Sequence, residues 1–398
     1  MNKTLHSVID KVYSLANLRK ASAKVCSNRG APGIDGISVS QWKAHEEQNL
    51  GILRRQMIED RCPALPVRRV EIPKPGKKGE TRPLGIPCVP ERVCQQAVLQ
   101  QLAPVFEDLF FEDSHGFRPG RSTHTAAAKV EALRKAGYAH AVDLDIKNFF
   151  GTVDHDIMMR LVKQVVKDRR VLALIRGWLK AGVMHEGEIR YETSGTPQGG
   201  TISPLLSNIY LTPFDLELTK AGVRHVRYAD DVVLLCKSRE EAEAALQLAR
   251  DLLSKLKLSL SEEKTKVTSF KEGFDFLGFR FQKSSRGVGN KSLRNFYEKV
   301  REATKRKQGN RPWPTLFDGL NPILRGWANY HRHGNNRGLF KTLDKWVRNR
   351  VRAYHRGRWR DRGRWKLLEA AVLAKAGLQS LYDVIFGSGQ LLLFKGSP

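Results

Sequence analysis

Hydrophobic and polar positions follow two different periods along this chain. Residues 239–261 place Ala242, Ala245, Leu246, Ala249, Leu252, Leu253 and Leu256 at helical spacing, which predicts an amphipathic helix with a solvated charged face. The first 25 residues carry a second helical pattern through Leu5, Val8, Ile9, Val12, Tyr13 and Ala16. Further helices are expected after Ser122 or Thr123, from about Asp154, and after Thr201 or Ser203, where hydroxyls or a carboxylate stand as caps. Shorter runs read as strands. VRRVEIP and TRPLGIP, within residues 67–87, predict a hairpin joined by the loop PGKKGE. HVRYADDVVLLC, residues 225–236, predicts a tight hairpin whose turn presents Asp230 and Asp231. AHAVDLDIKNFF, residues 139–150, predicts a buried strand interrupted by Asp143 and Asp145, and residues 262–282 give a short strand pair with Gly278 between aromatics. NRGAPGIDGISV, residues 28–39, reads as an ordered turn because Ile34, Ile37 and Val39 are spaced for burial.

Composition sharpens this outline. A chain of 398 residues, 41% hydrophobic, is long enough for two or three domains with substantial cores. Its 69 basic and 41 acidic residues leave a net charge of +28, an excess that implies a polyanionic partner, most simply nucleic acid. The charge is uneven. Residues 284–398 hold 25 Lys and Arg against 7 Asp and Glu, whereas the first 283 hold 44 against 34. Five of the seven tryptophans lie in that last stretch, where KWVRNRVRAYHRGRWRDRGRWK interleaves cations with aromatics. Cations neutralise phosphates and aromatic rings stack on unpaired bases, so Arg356, Arg358 and Arg360 are candidate nucleic-acid contacts, while some of the tryptophans should be core. The five cysteines form no C-x-x-C pair, which argues against a disulfide framework or a zinc site and fits a reducing cytoplasm. No apolar run reaches 18 residues and the N-terminus lacks the pattern of a secretory signal, so no membrane partner is expected.

The candidate chemistry lies in the acids. Adjacent carboxylates repel unless a cation or a shared proton lies between them, and Arg227 is the obvious neighbouring counter-charge. Asp-Asp is also a common turn dipeptide. Asp143 and Asp145, in an otherwise apolar strand, likewise want a partner. If the two strands converge, two Mg²⁺ ions (Mn²⁺ as a possible substitute) would suit an all-oxygen site and support nucleotidyl transfer. Lys74, Lys77, Lys78 and Arg82 on the 67–87 hairpin could close over a triphosphate. Arg118 and Arg121, beside the helix start near Ser122, would make a phosphate site. The Gly199-Gly200 pair would let one backbone approach another group closely.

Taken in order, these motifs resemble those of bacterial group II intron reverse transcriptase/maturases. YADD (228–231), DLDIKNFF (143–150), GTPQGGTISPLLSNIYL (195–211), HGFRPGRSTHTA (115–126), IPKPGKKGETRPLGIP (72–87), SEEKTK (261–266), FLGF (276–279), RGAPGIDG (29–36) and LRGWANYHRHG (324–334) carry the resemblance over nearly the whole chain. It implies an α+β right-hand polymerase. Residues 1–50 would be an N-terminal extension, 51–283 the fingers and a palm with a small antiparallel sheet, and 284–398 an α-helical thumb/maturase domain. It implies Asp145, Asp230 and Asp231 as the metal-binding triad, with the Ile146 carbonyl as a further ligand. It places Phe150 against the ribose 2′ position, Gln198 against the incoming nucleotide, Lys74 and Arg82 on the triphosphate, Lys264 as a proton donor to pyrophosphate, and Gly278 at the nucleic acid. Asp143 would be structural.

The implied partners are an RNA template, a DNA or RNA primer, dNTPs and structured intron RNA, in a bacterial cytoplasmic ribonucleoprotein, the chain being monomer or dimer. The stretch contains no Cys-paired His-Asn-His nuclease motif, so priming from nicks or replication forks is expected. Pro197-Gln198 departs from the Ser-Gln of diversity-generating enzymes. A maturase that chiefly binds RNA, or a host-domesticated repair or defence enzyme, are the alternative readings.

Overall fold

The computed structural model describes residues 4–62, 64–73, 79–185, 188–190, 195, 199–305, 313–356 and 369–387. The chain divides into two compact units, residues 1–269 and 270–398.

The first unit is mixed helix and sheet. Strands β1 (Val67–Pro73) and β2 (Thr81–Ile86) form the expected antiparallel hairpin, with Ile72 opposite Arg82. Strand β3 (His140–Asp145) carries the first acids. The short strands β4 (Val183–His185) and β5 (Glu188–Arg190) extend the hairpin into a four-stranded sheet of order β2-β1-β4-β5, with β1 and β4 parallel. Strands β6 (Arg224–Tyr228), β7 (Asp231–Cys236) and β8 (Lys266–Ser269) join β3 in an antiparallel sheet of order β6-β7-β3-β8. Alternation gives this sheet two faces. Val142, Leu144, Val232 and Leu234 turn into the core, packed with Ala242, Ala245, Ala249, Leu252 and Leu253 of the helix Arg239–Lys255. Asp143 and Asp145 turn the other way.

Two helix expectations change. The N-terminal pattern is two helices, Ile9–Val12 and Leu15–Ser27, because the Ser14 hydroxyl accepts from the Asn17 N–H and starts a new helix there. Ser122 caps the helix Thr123–Lys135 in a reciprocal capping box with Thr125. Neither Thr201 nor Ser203 caps the helix Ser203–Lys220: its cap is Ile202, whose N–H is taken by the Gln95 side chain at 3.4 Å.

Glu91, in the helix Val89–Glu107, is 4% exposed and accepts the Leu65 N–H at 3.0 Å. Burial pushes its carboxyl up to about 7. A carboxyl raised on folding ionises first in the unfolded chain. Stability should therefore fall as pH rises from about 4.5 to about 7 and stay lower above, by on the order of 3 kcal/mol. Glu91→Gln should lack this slope in urea unfolding, and equal slopes in both proteins would refute the assignment.

The second unit begins with a three-stranded meander, β9 (Phe274–Phe276), β10 (Phe279–Gln282) and β11 (Ser285–Val288). Leu277 (φ 50°) and Gly278 (φ 78°) form its two-residue turn, and the Tyr330 hydroxyl donates to the Leu277 carbonyl at 2.8 Å. The helices Asn290–Ala303, Trp313–Tyr330 and Arg337–Arg356 pack around Phe296, Leu320, Leu324, Phe340 and Val347. Trp327 lies 4.5 Å from Phe296 and Trp346 4.6 Å from Tyr297, centroid to centroid, so these two tryptophans belong to the core as expected. No helix among the described residues is long and apolar enough to cross a membrane.

Candidate active site

The β6–β7 hairpin closes with Tyr228 opposite Asp231, leaving Ala229 and Asp230 as a two-residue turn. Ala229 has φ 57°, the left-handed conformation that such turns favour. Next to this hairpin, β3 places Asp145 directly opposite Asp231. The sequence-separated acids thus meet at one end of the two central strands. Burial, and then the charge of Asp145, push the Asp230 carboxyl above its ordinary value, against the pull of its own backbone N–H and of Arg227. Asp231 is exposed. Among the described residues no three acids, histidines or cysteines are drawn around a single point as a ready-made cation cage. What the strands supply is two acids in register and a third at the adjoining turn, an all-oxygen donor set that suits a hard divalent cation.

The Lys264 ammonium rests on both oxygens of Asp145, at 3.2 and 3.3 Å. Ser261 donates its N–H to the Asp145 carbonyl at 2.8 Å and Lys147 donates to the Ser259 carbonyl at 2.9 Å, so Ile146 bridges Leu260 through its neighbours' groups. By the alternation of an antiparallel pair, the Ile146 carbonyl turns toward the opposite edge, the side of β7. Asp143 stands opposite Lys266.

Arg227 does not neutralise the Asp230–Asp231 pair as its position in sequence suggests. Its side chain is fully buried and turned onto Asp215, its Nε donating to both carboxylate oxygens at 2.9 Å. Burial alone would raise the Asp215 carboxyl, but the Arg227 charge and the bonds from His225 and Arg227 outweigh it and hold it below its ordinary value. Arg227 Nη1 also donates to the Ala229 carbonyl at 3.0 Å and to Asn208 Oδ1 at 2.9 Å. Asn208 donates in turn to the Gly116 carbonyl at 2.9 Å. Gly116 lies so close beneath the turn that a Cβ there would stand 2.3 Å from the Ala229 nitrogen. A buried ion pair therefore holds the turn from behind. A charged residue in the apolar strand HVRY was its one signal in the sequence.

Other expectations move as well. Arg118 is buried: it donates to Glu107 at 2.9 Å and to the Phe111 and Ser114 carbonyls at 2.6 and 2.8 Å, so its donors are spent inside the fold and it makes no phosphate site. Arg121 is half-buried and donates to the Glu112 carbonyl. The close approach expected at Gly199 is to protein: a Cβ there would stand 2.3 Å from the Gly85 carbonyl of β2. Gly278 serves the β9–β10 turn, where its positive φ accounts for the glycine. Phe150 is half-buried in the short helix Phe149–Thr152, its ring edge-on to Phe149 at 5.3 Å. His155, unforeseen in the sequence, reaches the Gly195 carbonyl with Nε2 at 2.6 Å and fastens that residue beside Phe150. Arg82 is exposed on β2. Lys74, Gln198, Arg358 and Arg360 lie outside the described residues. Arg356 ends the helix Arg337–Arg356, and its side chain lies outside them too.

An antiparallel sheet with acids at the ends of two central strands is the arrangement of a polymerase palm. The chain belongs to the reverse transcriptase (RNA-dependent DNA polymerase) family, whose model matches residues 72–281. A second model, the group II intron maturase-specific domain, matches residues 293–371, which makes the chain a reverse transcriptase of the group II intron type with a maturase domain. It is 35% identical over 304 residues to protein YkfC of Escherichia coli K12, covering 66% of this chain and 79% of that one. It is 31% identical over 319 residues to the group II intron-encoded protein LtrA of Lactococcus lactis, covering 64% of this chain and 53% of LtrA. Over 94 residues it is 40% identical to nuclear intron maturase 1, mitochondrial, of Arabidopsis thaliana, 24% of this chain and 13% of that protein. The chain thus spans about half the length of LtrA.

Proposed function

We propose that this chain extends a DNA or RNA primer with dNTPs on an RNA template, using Asp145, Asp230 and Asp231 to hold two divalent cations, Mg²⁺ by preference. The observation that carries this reading is the pairing of Asp145 with Asp231 across β3 and β7, with Asp230 at the adjoining turn. When bound there, divalent cations would supply the charge that activates the primer 3′ hydroxyl and offsets that on the leaving pyrophosphate. Asp145, Asp230 and Asp231 would hold that charge in place, with the Ile146 carbonyl as a supplementary ligand. Lys264, whose ammonium rests on Asp145, would give a proton to the departing pyrophosphate. Lys74 and Arg82 would bind the triphosphate and Gln198 would lie against the incoming nucleotide.

The test is primer extension on an RNA template with dNTPs and Mg²⁺. Extension supports the reading. Its absence, with tight salt-sensitive binding to structured RNA, would favour a maturase whose main work is to stabilise folded intron RNA. The maturase-domain match and the basic second unit favour an RNA-binding role beside polymerisation.

Phe150 stands in this proposal against the 2′ position of the incoming sugar. Phe150→Ala should raise the kcat/KM for ribonucleotides relative to deoxynucleotides by about tenfold or more, since the space of several methylenes opens. Unchanged sugar selection would remove Phe150 from that role.

A further inference from the structure

Phe117 is held in an unusual way. Its backbone has φ 57°, a region that bulky L residues rarely occupy, and its side chain is 57% exposed. A strained backbone persists only where the surroundings over-determine it. Here both chain neighbours are pinned. Gly116 lies under the Ala229 turn with its carbonyl bound by Asn208. Arg118 is locked to Glu107 and to the Phe111 and Ser114 carbonyls. The preceding loop is fastened along β6, His115 donating to the Arg227 carbonyl at 2.7 Å and Arg227 donating to that of Asp113 at 3.0 Å. With 116 and 118 both turned inward, residue 117 is forced outward. Its ring comes 6.2 Å from that of Tyr228, the residue that opens the YADD turn, with the planes tilted by 43°.

Burial gains nothing from an exposed phenyl ring, and folding is opposed by its backbone. The arrangement makes sense if the ring meets something flat and apolar that arrives at the catalytic turn. In a polymerase that is the face of a nucleobase. We propose that Phe117, beside Tyr228, is a stacking platform for the base pair at the primer terminus, seating the 3′ end over the turn that carries Asp230. This rests on the polymerase reading above and adds to it a residue that touches substrate.

The test is a template–primer duplex with 2-aminopurine at the primer 3′ end, whose fluorescence reports stacking directly and needs no turnover. Wild-type protein should change that signal, and Phe117→Ala should lose most of the change. In primer extension, Phe117→Ala should raise the KM for template–primer by about tenfold, the scale of one lost base stack, with the KM for dNTP within about twofold. Phe117→Trp should restore both readouts. Phe117→Gly, which removes the backbone penalty with the ring, should melt no lower than wild type and still fail to bind the primer end. Wild-type fluorescence and template–primer KM in a folded Phe117→Ala or Phe117→Gly protein would overturn the proposal. A wild type that stacks the primer end but never extends it would refute the polymerase reading and leave the platform standing.

Discussion

Asp230→Ala should abolish primer extension while leaving RNA affinity within a few fold of wild type. The expected loss is at least about a thousandfold, because charge stabilisation at the reacting phosphate contributes several kcal/mol and each 1.4 kcal/mol is tenfold in rate. The protein should not pay in stability. Asp230 is partly buried close to Asp145, and both burial and that neighbour oppose its ionisation, so removing the carboxylate relieves repulsion. Folding and catalysis thus pull in opposite directions at this residue. Thermal unfolding, RNA binding and extension measured on one preparation separate the two. The salt dependence of RNA binding should be unchanged, since no phosphate contact is lost. Extension near the wild-type rate would remove Asp230 from the chemistry.

Arg227→Met should cost about 3–5 kcal/mol, the usual consequence of leaving one member of a buried ion pair without the other. Asp215 would remain fully buried beside His225, and Asn208 would lose a donor. The double variant Arg227→Met, Asp215→Leu should recover much of that stability, because an apolar pair of similar volume often replaces a buried salt bridge at little cost. It should not recover polymerisation, because the Ala229 carbonyl still lacks the guanidinium that holds the turn. A double-mutant cycle in denaturant gives the coupling between the two residues, and extension assays on the same four proteins give its catalytic counterpart. Recovery of both stability and rate in the double variant would show that the pair serves folding alone.

Legibility in the sequence followed the range of the interactions. The YADD hairpin, the hairpin of residues 67–87 and the helix Arg239–Lys255 were readable because each is set by its own periodicity and turn residues. The parallel pairing of β1 with β4 was not, since β4 is only three residues long and its partner lies over a hundred residues earlier in the chain. The polar residues were the hardest to place. Arg118 and Arg227 look alike in the sequence, as cations near candidate chemistry, yet both are buried, because acids and carbonyls distant in sequence fold around them. The residue between two inward-turned neighbours, Phe117, faces solvent although its own chemistry favours burial. Charge and hydropathy give the composition of a surface; which side chain occupies it depends on loop conformation.

The place of β3 and β7 in the interior of their sheet has a bearing on how this enzyme can vary. Asp145 and Asp231 are separated by the width of one backbone ladder, a length fixed by the peptide unit and common to all antiparallel pairs. Their spacing is therefore a property of the main chain and owes little to any one neighbouring side chain. Val142, Leu144, Val232 and Leu234 can drift among apolar residues, weakening or strengthening the fold, without detuning the distance between the acids. A register slip of a single residue, by contrast, would turn Asp145 to the opposite face. The architecture confines the vulnerability of the proposed chemistry to register and turn, and leaves the core free to diverge.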